Sequence, residues 1–274
     1  MHSIALCQYG QLPAVCITAQ DGAQAIVTLY GAHLVSWKSS DGRERIFCST
    51  KSALDGSRAI RGGVPVIFPQ FAERGTGMRH GFARVSTWRL ANSGEQGALS
   101  WAALSWAAFA LAPPDLDPAH GKAWPHGFAL ELQVALQGGR LELSLDVRND
   151  GAEAFAFSCA LHSYCLLDQL GSASIHGLQP GALQIDDKYD EIFRTIGPQL
   201  ELRQPGSTLT LRQQGFPDVV VWNPGARDAA ALADLDDAEY QQFVCIEPAL
   251  IEPHTLVPGA SWRGWHRIEA TSIP

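Results

Sequence analysis

Hydrophobic and polar residues alternate most regularly in the segment LELQVALQGGRLELSLDVRND, which begins at residue 130. Apolar residues occupy every second position on both sides of a Gly-Gly pair: Leu130, Leu132, Val134 and Leu136, then Leu141, Leu143, Leu145 and Val147. A period of two is typical of a strand with one buried face, and a glycine pair between two such runs is typical of a tight turn. The pattern therefore predicts a β-hairpin.

Turn signals divide the rest of the chain into short runs. Asp-Gly pairs stand at residues 21, 41, 55 and 150, within a sequence that holds 26 glycines and 16 prolines. The apolar run Trp101–Ala112 is flanked by turns and is predicted to be a core strand, whereas Arg227–Phe243, rich in alanine, leucine and acids, predicts one or two helical turns. We expect an all-β antiparallel sandwich that forms a single domain over residues 1–274.

Composition narrows the possible partners. The net charge is −8 and the pI is about 5.5, which argues against nucleic acid or an anionic membrane surface as the main partner. No apolar run approaches the roughly 20 residues that span a bilayer, and the first residues lack a secretion signal. The six cysteines form no CxxC pair, so we expect reduced thiols and a cytoplasmic location. We also expect the protein to be a monomer.

One segment carries the opposite charge. Residues 58–89 contain six arginines and one acid, Glu73, which gives this stretch a net charge of +5. The arginines are Arg58, Arg61, Arg74, Arg79, Arg84 and Arg89. Because the planar guanidinium binds phosphate through two parallel hydrogen bonds, the cluster predicts a site for a small anion. The alternative is pairing with surface acids, which we expect at least for Arg58 and Arg89.

His162 is the first candidate for proton transfer. In EAFAFSCALHSYC, a period of two places His162 on the same face as Ser158, Ala160 and Tyr164, opposite Phe157 and its apolar neighbours. Such a face can form the floor of a polar groove, and an imidazole can transfer protons near neutral pH. The alternative is a half-buried histidine that is hydrogen-bonded to a nearby carbonyl.

Glu247 is the second candidate. It follows the apolar run Phe243–Ile246 and precedes Pro248, which we expect to end the pairing of that strand. Burial would raise the pKa of this carboxyl toward values that suit a general base. Glu252, in a second IEP, follows a weaker strand pattern and ranks lower; for either glutamate the alternative is a surface salt bridge.

Other catalytic motifs are missing from the sequence. It contains no HExxH, no Cys/His spacing typical of zinc, no GxSxG elbow and no GxxxxGK[ST] loop for a nucleotide, so metal-dependent hydrolysis and serine esterase chemistry have little support. The second HGF, at His126, precedes the hairpin and is interpreted as a strand entry. His80, in the first HGF, lies among the arginines, and its role stays open.

Five motifs together carry a family resemblance. RAIRGGVPVIFPQF, RHGFAR, ALHSYC, VVVWNP and FVCIEP occur in this order, and the sequence resembles the glucose-6-phosphate 1-epimerases of the aldose 1-epimerase superfamily from about residue 20 to residue 265. The resemblance implies a galactose-mutarotase-like β-supersandwich that acts on a hexose 6-phosphate.

The resemblance also implies roles for individual residues. His162 and Glu247 match the family's catalytic pair, and Arg61 and Arg84 match arginines that bind the sugar phosphate. Arg79 stands where the family commonly has a substrate-binding glutamine. Asp186, directly after Ile185, is chosen as the sugar-binding aspartate, with Asp187 as the alternative. The resemblance implies that neither a metal nor a cofactor is needed.

The residue types suit anomer exchange. Opening the sugar ring requires a base that removes the C1 hydroxyl proton and an acid that protonates the ring oxygen. We assign Glu247 as the base and His162, as imidazolium, as the acid, on opposite sides of the ring. Two alternatives stay open: a mutarotase for unphosphorylated aldoses, which would need no arginine cluster, and a non-catalytic sugar-phosphate-binding protein.

Overall fold

Antiparallel β-strands dominate the computed structural model, which describes residues 3–96, 104–194, 197 and 199–272. The strands are β1 Ser3–Tyr9, β2 Leu12–Thr18, β3 Gln24–Thr28, β4 His33–Lys38, β5 Val66–Ile67, β6 Arg89–Gln96, β7 Leu104–Leu111, β8 Phe128–Gln137, β9 Arg140–Asn149, β10 Phe155–Leu161, β11 Tyr164–Leu166, β12 Ser174–His176, β13 Leu183–Gln184, β14 Tyr189–Arg194, β15 Gln199–Gln204, β16 Ser207–Gln214, β17 Asp218–Asn223, β18 Phe243–Leu256 and β19 Ser261–Ser272. Two short α-helices are α1 Pro118–Ala123 and α2 Gly225–Ala229.

The largest sheet contains the predicted hairpin. Its order is β13-β12-β15-β16-β19-β9-β8-β7-β6, and β8 pairs with β9 so that Leu132 faces Leu145 across the two strands. The apolar run at Trp101–Ala112 supplies β7, as predicted, although residues 101–103 lie outside the described part. Strand β8 begins two residues after His126, which confirms that the second HGF is a strand entry.

The predicted helical turns are confirmed in outline. Helix α2 begins at Gly225, two residues earlier than expected, and a 3₁₀ turn covers Glu239–Gln242. Helix α1 was not predicted from the sequence pattern. It is capped by Asp117, whose carboxylate accepts a hydrogen bond from Ala119 N at 2.7 Å. No helix in the described ranges is both long and apolar enough to cross a membrane.

A second sheet, of order β14-β17-β18-β10-β5, carries the candidate catalytic residues. Strand β10 ends at Leu161 and β11 begins at Tyr164, and both pair with β18. The two residues between them leave the ladder: the His162 N–H donates to Pro65 O at 3.0 Å, and Ser163 N–H donates to Leu161 O at 2.9 Å. His162 therefore lies at an interruption in an otherwise continuous sheet.

The expectation that Pro248 ends the strand is wrong. Strand β18 continues to Leu256, and Pro248 pairs with Val219 of β17. The Ile246 N–H donates to Ser163 O, so strand alternation directs the Pro248 nitrogen toward the same side, where β10 and β11 are interrupted. A missing N–H is tolerated there because no regular ladder partner faces it.

A third, four-stranded sheet has the order β1-β2-β3-β4. The main apolar core joins all three sheets through buried residues such as Val15, Leu145 and Ile246. The all-β antiparallel sandwich is therefore confirmed, whereas the single-domain interpretation stays a prediction. All six cysteines are free thiols.

Candidate active site

A cleft of about 580 Å³ opens beside the interruption between β10 and β11. Its lining combines the catalytic candidates, most of the arginine cluster, and aromatic and acidic side chains: Arg58, Arg61, Arg74, Arg79, Arg84, His80, His162, Tyr164, Trp222, Asp190, Asp234 and Glu247, with apolar residues between them. The cluster predicted from charge and the candidates predicted from strand pattern thus meet in one cavity.

His162 and Glu247 are in direct contact at this cleft. The His162 Nε2 lies 3.3 Å from Glu247 Oε1, and both side chains are almost fully buried. The imidazole stacks on the Tyr164 ring, with centroids 4.9 Å apart and planes inclined by 12°, and it makes a T-shaped contact with Trp222 at 6.0 Å. These contacts fix the imidazole while leaving the pair at the cleft surface.

Burial and neighbouring charges favour the neutral forms of both groups. Desolvation, together with His80, Arg84 and Arg61, lowers the pKa of His162 well below its usual value. Desolvation and the nearby Asp190 raise the pKa of Glu247 well above its usual value. The pair in the free cleft therefore favours a protonated carboxyl beside a neutral imidazole.

Two details of the expected chemistry change. The acid and the base lie side by side rather than on opposite sides of a ring, which suits anomer exchange because O1 and O5 are bonded to the same carbon. The imidazolium assigned to His162 is disfavoured in the free protein because the surrounding cations and burial oppose it.

Arg61 is held by a turn that only glycine can form. Gly63 has φ +67°, and a Cβ at this position would lie 2.3 Å from Leu34 O. The Arg61 guanidinium contacts Asp234 through Nε at 3.2 Å and a terminal nitrogen at 3.3 Å, and it donates to the Tyr164 hydroxyl at 3.2 Å. Arg61 thus lines the cleft with its orientation fixed by two partners.

Arg84 is less fully paired than Arg61. It lies in the short 3₁₀ turn Ala83–Val85 and donates one hydrogen bond, at 2.9 Å, to the backbone oxygen of Arg79. Its Nε is buried and has no hydrogen-bond partner among the described residues. A buried donor without a partner is costly. The terminal nitrogens donate only this one hydrogen bond among the described residues, so Arg84 keeps guanidinium donors free beside the cleft.

The other arginines separate into two groups. Arg89 pairs with Asp115 outside the cleft, as predicted. Arg58 was also expected to pair with a surface acid, but it lines the cleft and forms no ion pair within the described ranges. Arg79 reaches the rim, where it contacts Glu73, and its side chain is 62% exposed.

His80 lies in the cleft as a neutral imidazole. Its backbone is left-handed, with φ 63°, and its Nδ1 accepts a hydrogen bond from Ala72 N at 3.3 Å, so the ring proton belongs on Nε2. Burial and the cations Arg84, Arg79 and Arg61 lower the pKa of His80 to about 3. The ring meets His162 edge-on with centroids 5.7 Å apart.

Asp186 does not line the cleft. Its side chain is exposed at the surface, and the alternative, Asp187, accepts a hydrogen bond from Ala226 N at 2.8 Å. The carboxylate from this region that faces the cleft is Asp190, at the start of β14. The structure therefore places Asp190, and neither Asp186 nor Asp187, in the cleft, and sugar binding by Asp186 stays a prediction.

Three further cleft residues were not assigned from sequence. Tyr164 shares the strand face predicted for His162, so the period of two could have identified it. Trp222 belongs to the quoted VVVWNP motif. Asp234 lies in an acidic turn between α2 and the 3₁₀ turn at Glu239–Gln242, and no local pattern distinguishes it from its neighbours.

One group of residues has the composition of a metal site. Ligand atoms of His162, Cys245 and Glu247 all lie within 4.8 Å of one another. Burial raises the pKa of the Cys245 thiol well above its usual value, and the arginines of the cleft oppose a cation. A protonated thiol is a poor ligand, so these residues fit acid–base chemistry better than metal binding.

A family model described as aldose 1-epimerase matches residues 13–185 and 179–269. The chain belongs to the aldose 1-epimerase family. Membership supports an isomerase that acts as an epimerase or mutarotase, in agreement with a paired acid and base at the floor of the cleft.

Relatives of this aldose 1-epimerase family member include a protein of Cenchrus ciliaris named "Putative glucose-6-phosphate 1-epimerase", which is 32% identical over 91% of this chain and 82% of its own length. The crystal structure of a "putative mutarotase (YeaD)" from Salmonella typhimurium superposes on this chain with a TM-score of 0.86 at 25% sequence identity. The superposition covers 98% of this chain and 94% of the Salmonella chain.

The galactose 1-epimerase of Lactobacillus acidophilus NCFM has a TM-score of 0.72 at 13% identity, with 99% of both chains covered. This similarity shows that the fold is galactose-mutarotase-like.

Proposed function

We propose that this protein interconverts the α and β anomers of a hexose 6-phosphate, with glucose 6-phosphate as the preferred substrate. The observation that carries the proposal is the position of five arginines around the same cleft that holds the His162–Glu247 pair. A mutarotase for neutral sugars would need the pair but would gain nothing from this positive charge. The name of the Cenchrus ciliaris relative points to the same substrate.

Arg61 and Arg84 bind the 6-phosphate in this proposal. Arg84 lines the cleft and keeps terminal N–H donors beyond the one that Arg79 O accepts, and Arg61 keeps donors beyond those used by Asp234 and Tyr164. Charge-assisted hydrogen bonds to phosphate are roughly twice as strong as neutral ones. Fixing the phosphate places the reducing end of the sugar against the acid–base pair.

Ring opening then requires two proton transfers. Glu247, as carboxylate, removes the proton of the C1 hydroxyl, and His162, as imidazolium, protonates O5 as the C1–O5 bond breaks. The products are an open-chain aldehyde, a protonated Glu247 and a neutral His162. Rotation about C1–C2 and the reverse transfers close the ring on the other face.

The electrostatics of the cleft are consistent with this sequence of states. Burial favours the neutral pair, which is the state of Glu247 and His162 after ring opening. The starting ion pair needs help, and a bound phosphate provides it by offsetting the positive charges of Arg61 and Arg84 near the imidazole. No metal or cofactor takes part in these steps.

Polarimetry tests the proposal. Freshly dissolved α-glucose 6-phosphate and α-glucose are each followed to equilibrium with and without the protein, and the spontaneous rate is subtracted. We expect a much larger catalysed rate for the phosphorylated sugar. Equal catalysed rates would indicate a general aldose mutarotase, and tight binding of glucose 6-phosphate without acceleration would indicate a sugar-phosphate-binding protein.

A further inference from the structure

A continuous chain of contacts joins the arginines to the acid–base pair. Asp234 contacts Arg61, whose terminal nitrogen donates to the Tyr164 hydroxyl at 3.2 Å. The Tyr164 ring stacks on His162, and His162 lies 3.3 Å from Glu247. Tyr164 is thus the side chain that contacts both the phosphate-binding arginine and the catalytic imidazole.

Tyr164 is held rigidly in this position. Its ring is 2% exposed and packs against Phe243 with centroids 5.1 Å apart. Its N–H donates to Gly63 O at 3.0 Å, so the tyrosine backbone is bonded to the glycine turn that follows Arg61. The fixed ring therefore holds the Arg61 guanidinium, bonded to its hydroxyl, and the His162 imidazole, stacked on its face, in a set relative orientation.

We propose that Tyr164 is a positioning residue that couples phosphate bound at Arg61 to the alignment of His162; this inference rests on the proposed function. The hydroxyl and Asp234 together use three of the five guanidinium donors, which fixes the plane of the guanidinium and leaves donors for the phosphate. The stacked ring fixes the plane of the imidazole in turn. The same residue thereby aligns the arginine and the catalytic acid.

Electrostatics support the same coupling. Burial lowers the pKa of His162, and the Arg61 cation adds to that effect. Burial raises the pKa of Tyr164, and the same cation opposes that rise. A phosphate dianion at Arg61 offsets this cation close to the imidazole. Binding at one end of the contact chain therefore favours the protonated acid at the other end.

Tyr164→Phe tests the proposal because it removes the hydroxyl and keeps the stacked ring. We expect the ratio of kcat/KM for glucose 6-phosphate to kcat/KM for glucose to fall about tenfold or more, the range for a hydrogen bond to a charged group. A purely structural role for the tyrosine would lower exchange of both sugars by the same factor and leave the ratio unchanged.

Tyr240→Phe is the matched control. Its hydroxyl accepts a hydrogen bond from Gln241 Nε2 at 3.0 Å, and it lies outside the cleft lining. We expect the ratio to be unchanged in this variant. Circular dichroism and thermal melting of both variants show whether the fold is kept.

A double-mutant cycle with Arg61→Lys tests the same hydrogen bond from its other end. Lysine keeps the charge but cannot contact Asp234 and Tyr164 with a planar fork. We expect Tyr164→Phe to change the ratio less than threefold in the Arg61→Lys background. Full additivity, or an unchanged ratio in Tyr164→Phe, would overturn the inference alone. A wild-type protein without preference for the phosphorylated sugar would overturn the proposed function as well.

Discussion

Burial sets the protonation states of Glu247 and His162 before any substrate binds. Each group is costly to ionise alone, because little water reaches it, and each is the nearest partner of the other. The Glu247 Oε2 and the His162 Nδ1 are buried without a hydrogen-bond partner among the described residues. Such underused polar atoms are expected where function rather than stability selects the residue.

At this scale, His162→Asn should abolish most anomer exchange. Asparagine keeps a polar side chain of similar reach but cannot act as an acid near neutral pH, so we expect a loss of about 10²- to 10⁴-fold in kcat. Exchange is measured by saturation-transfer NMR on glucose 6-phosphate. His126→Asn, in the second HGF, is the control and should keep full activity. Near wild-type exchange in a folded His162→Asn would remove this residue from the mechanism.

The two IEP glutamates give a paired test. Glu247→Gln should lower kcat/KM by about 10²-fold or more because a neutral amide cannot accept the C1 hydroxyl proton. Glu252→Gln should have little effect, since Glu252 is 71% exposed and pairs with Arg194 at the surface. Initial rates from polarimetry distinguish the two. A larger loss in Glu252→Gln would mean that the base has been misassigned.

At the scale of elements, the site depends on one interrupted strand and one irregular segment. The gap between β10 and β11 turns His162 toward the cleft. Residues 58–84, an irregular segment around the two-residue strand β5, place arginines around it. Glycine is required where this segment approaches other backbone: a Cβ on Gly81 would lie 2.0 Å from Phe68 O. In the proposed function, catalysis and phosphate recognition are thus contributed by separate elements that meet in the cleft.

Arg84→Ala tests the contribution of the irregular segment. We expect kcat/KM for glucose 6-phosphate to fall about 10- to 100-fold, the value of a charge-assisted hydrogen bond, while exchange of glucose changes comparatively little. Arg89→Ala is the control, because Arg89 pairs with Asp115 outside the cleft. Equal losses for both sugars would mean that Arg84 supports the cleft structurally and does not bind the phosphate.

Local patterns in the sequence predicted the elements that pair with chain neighbours. The hairpin β8–β9 and the two faces of β10 follow from the period of two, and the excess of arginine is visible by counting. Long-range packing decided the rest. Asp234 meets Arg61 across 173 positions of the chain, and the continuation of β18 through Pro248 depends on the gap in the neighbouring strand. Neither arrangement has a local signature.

For the molecule as a whole, the sandwich buries histidines that must stay neutral. Two of these histidines, His33 and His266 of β19, are almost fully buried. The His33 Nε2 lies 2.8 Å from Gly62 O, next to Arg61 in the chain. Burial lowers the pKa of each to about 4 from an ordinary value of 6.5. The unfolded chain therefore binds more protons than the folded protein between these values, and stability is lost as the pH falls below 6.5.

The free energy of unfolding should consequently decrease between pH 7 and pH 5. Each of these two histidines contributes about 2 kcal/mol to the decrease by proton linkage. Urea denaturation at the two pH values measures it, and His266→Gln should reduce the difference by about 2 kcal/mol, whatever its effect at pH 7. The same pH difference in wild type and His266→Gln would show that His266 is not held neutral in the folded state.

In the proposed function, one cleft combines a phosphate-binding arginine cluster with an acid–base pair. Saturation-transfer NMR tests it most directly when glucose 6-phosphate and glucose are present together in one tube with a catalytic amount of protein, because both sugars then meet the same active sites. We predict exchange between the anomers of glucose 6-phosphate well above its spontaneous rate, while glucose stays close to its own spontaneous rate. Equal acceleration of both sugars, or faster exchange of glucose, would contradict the claim.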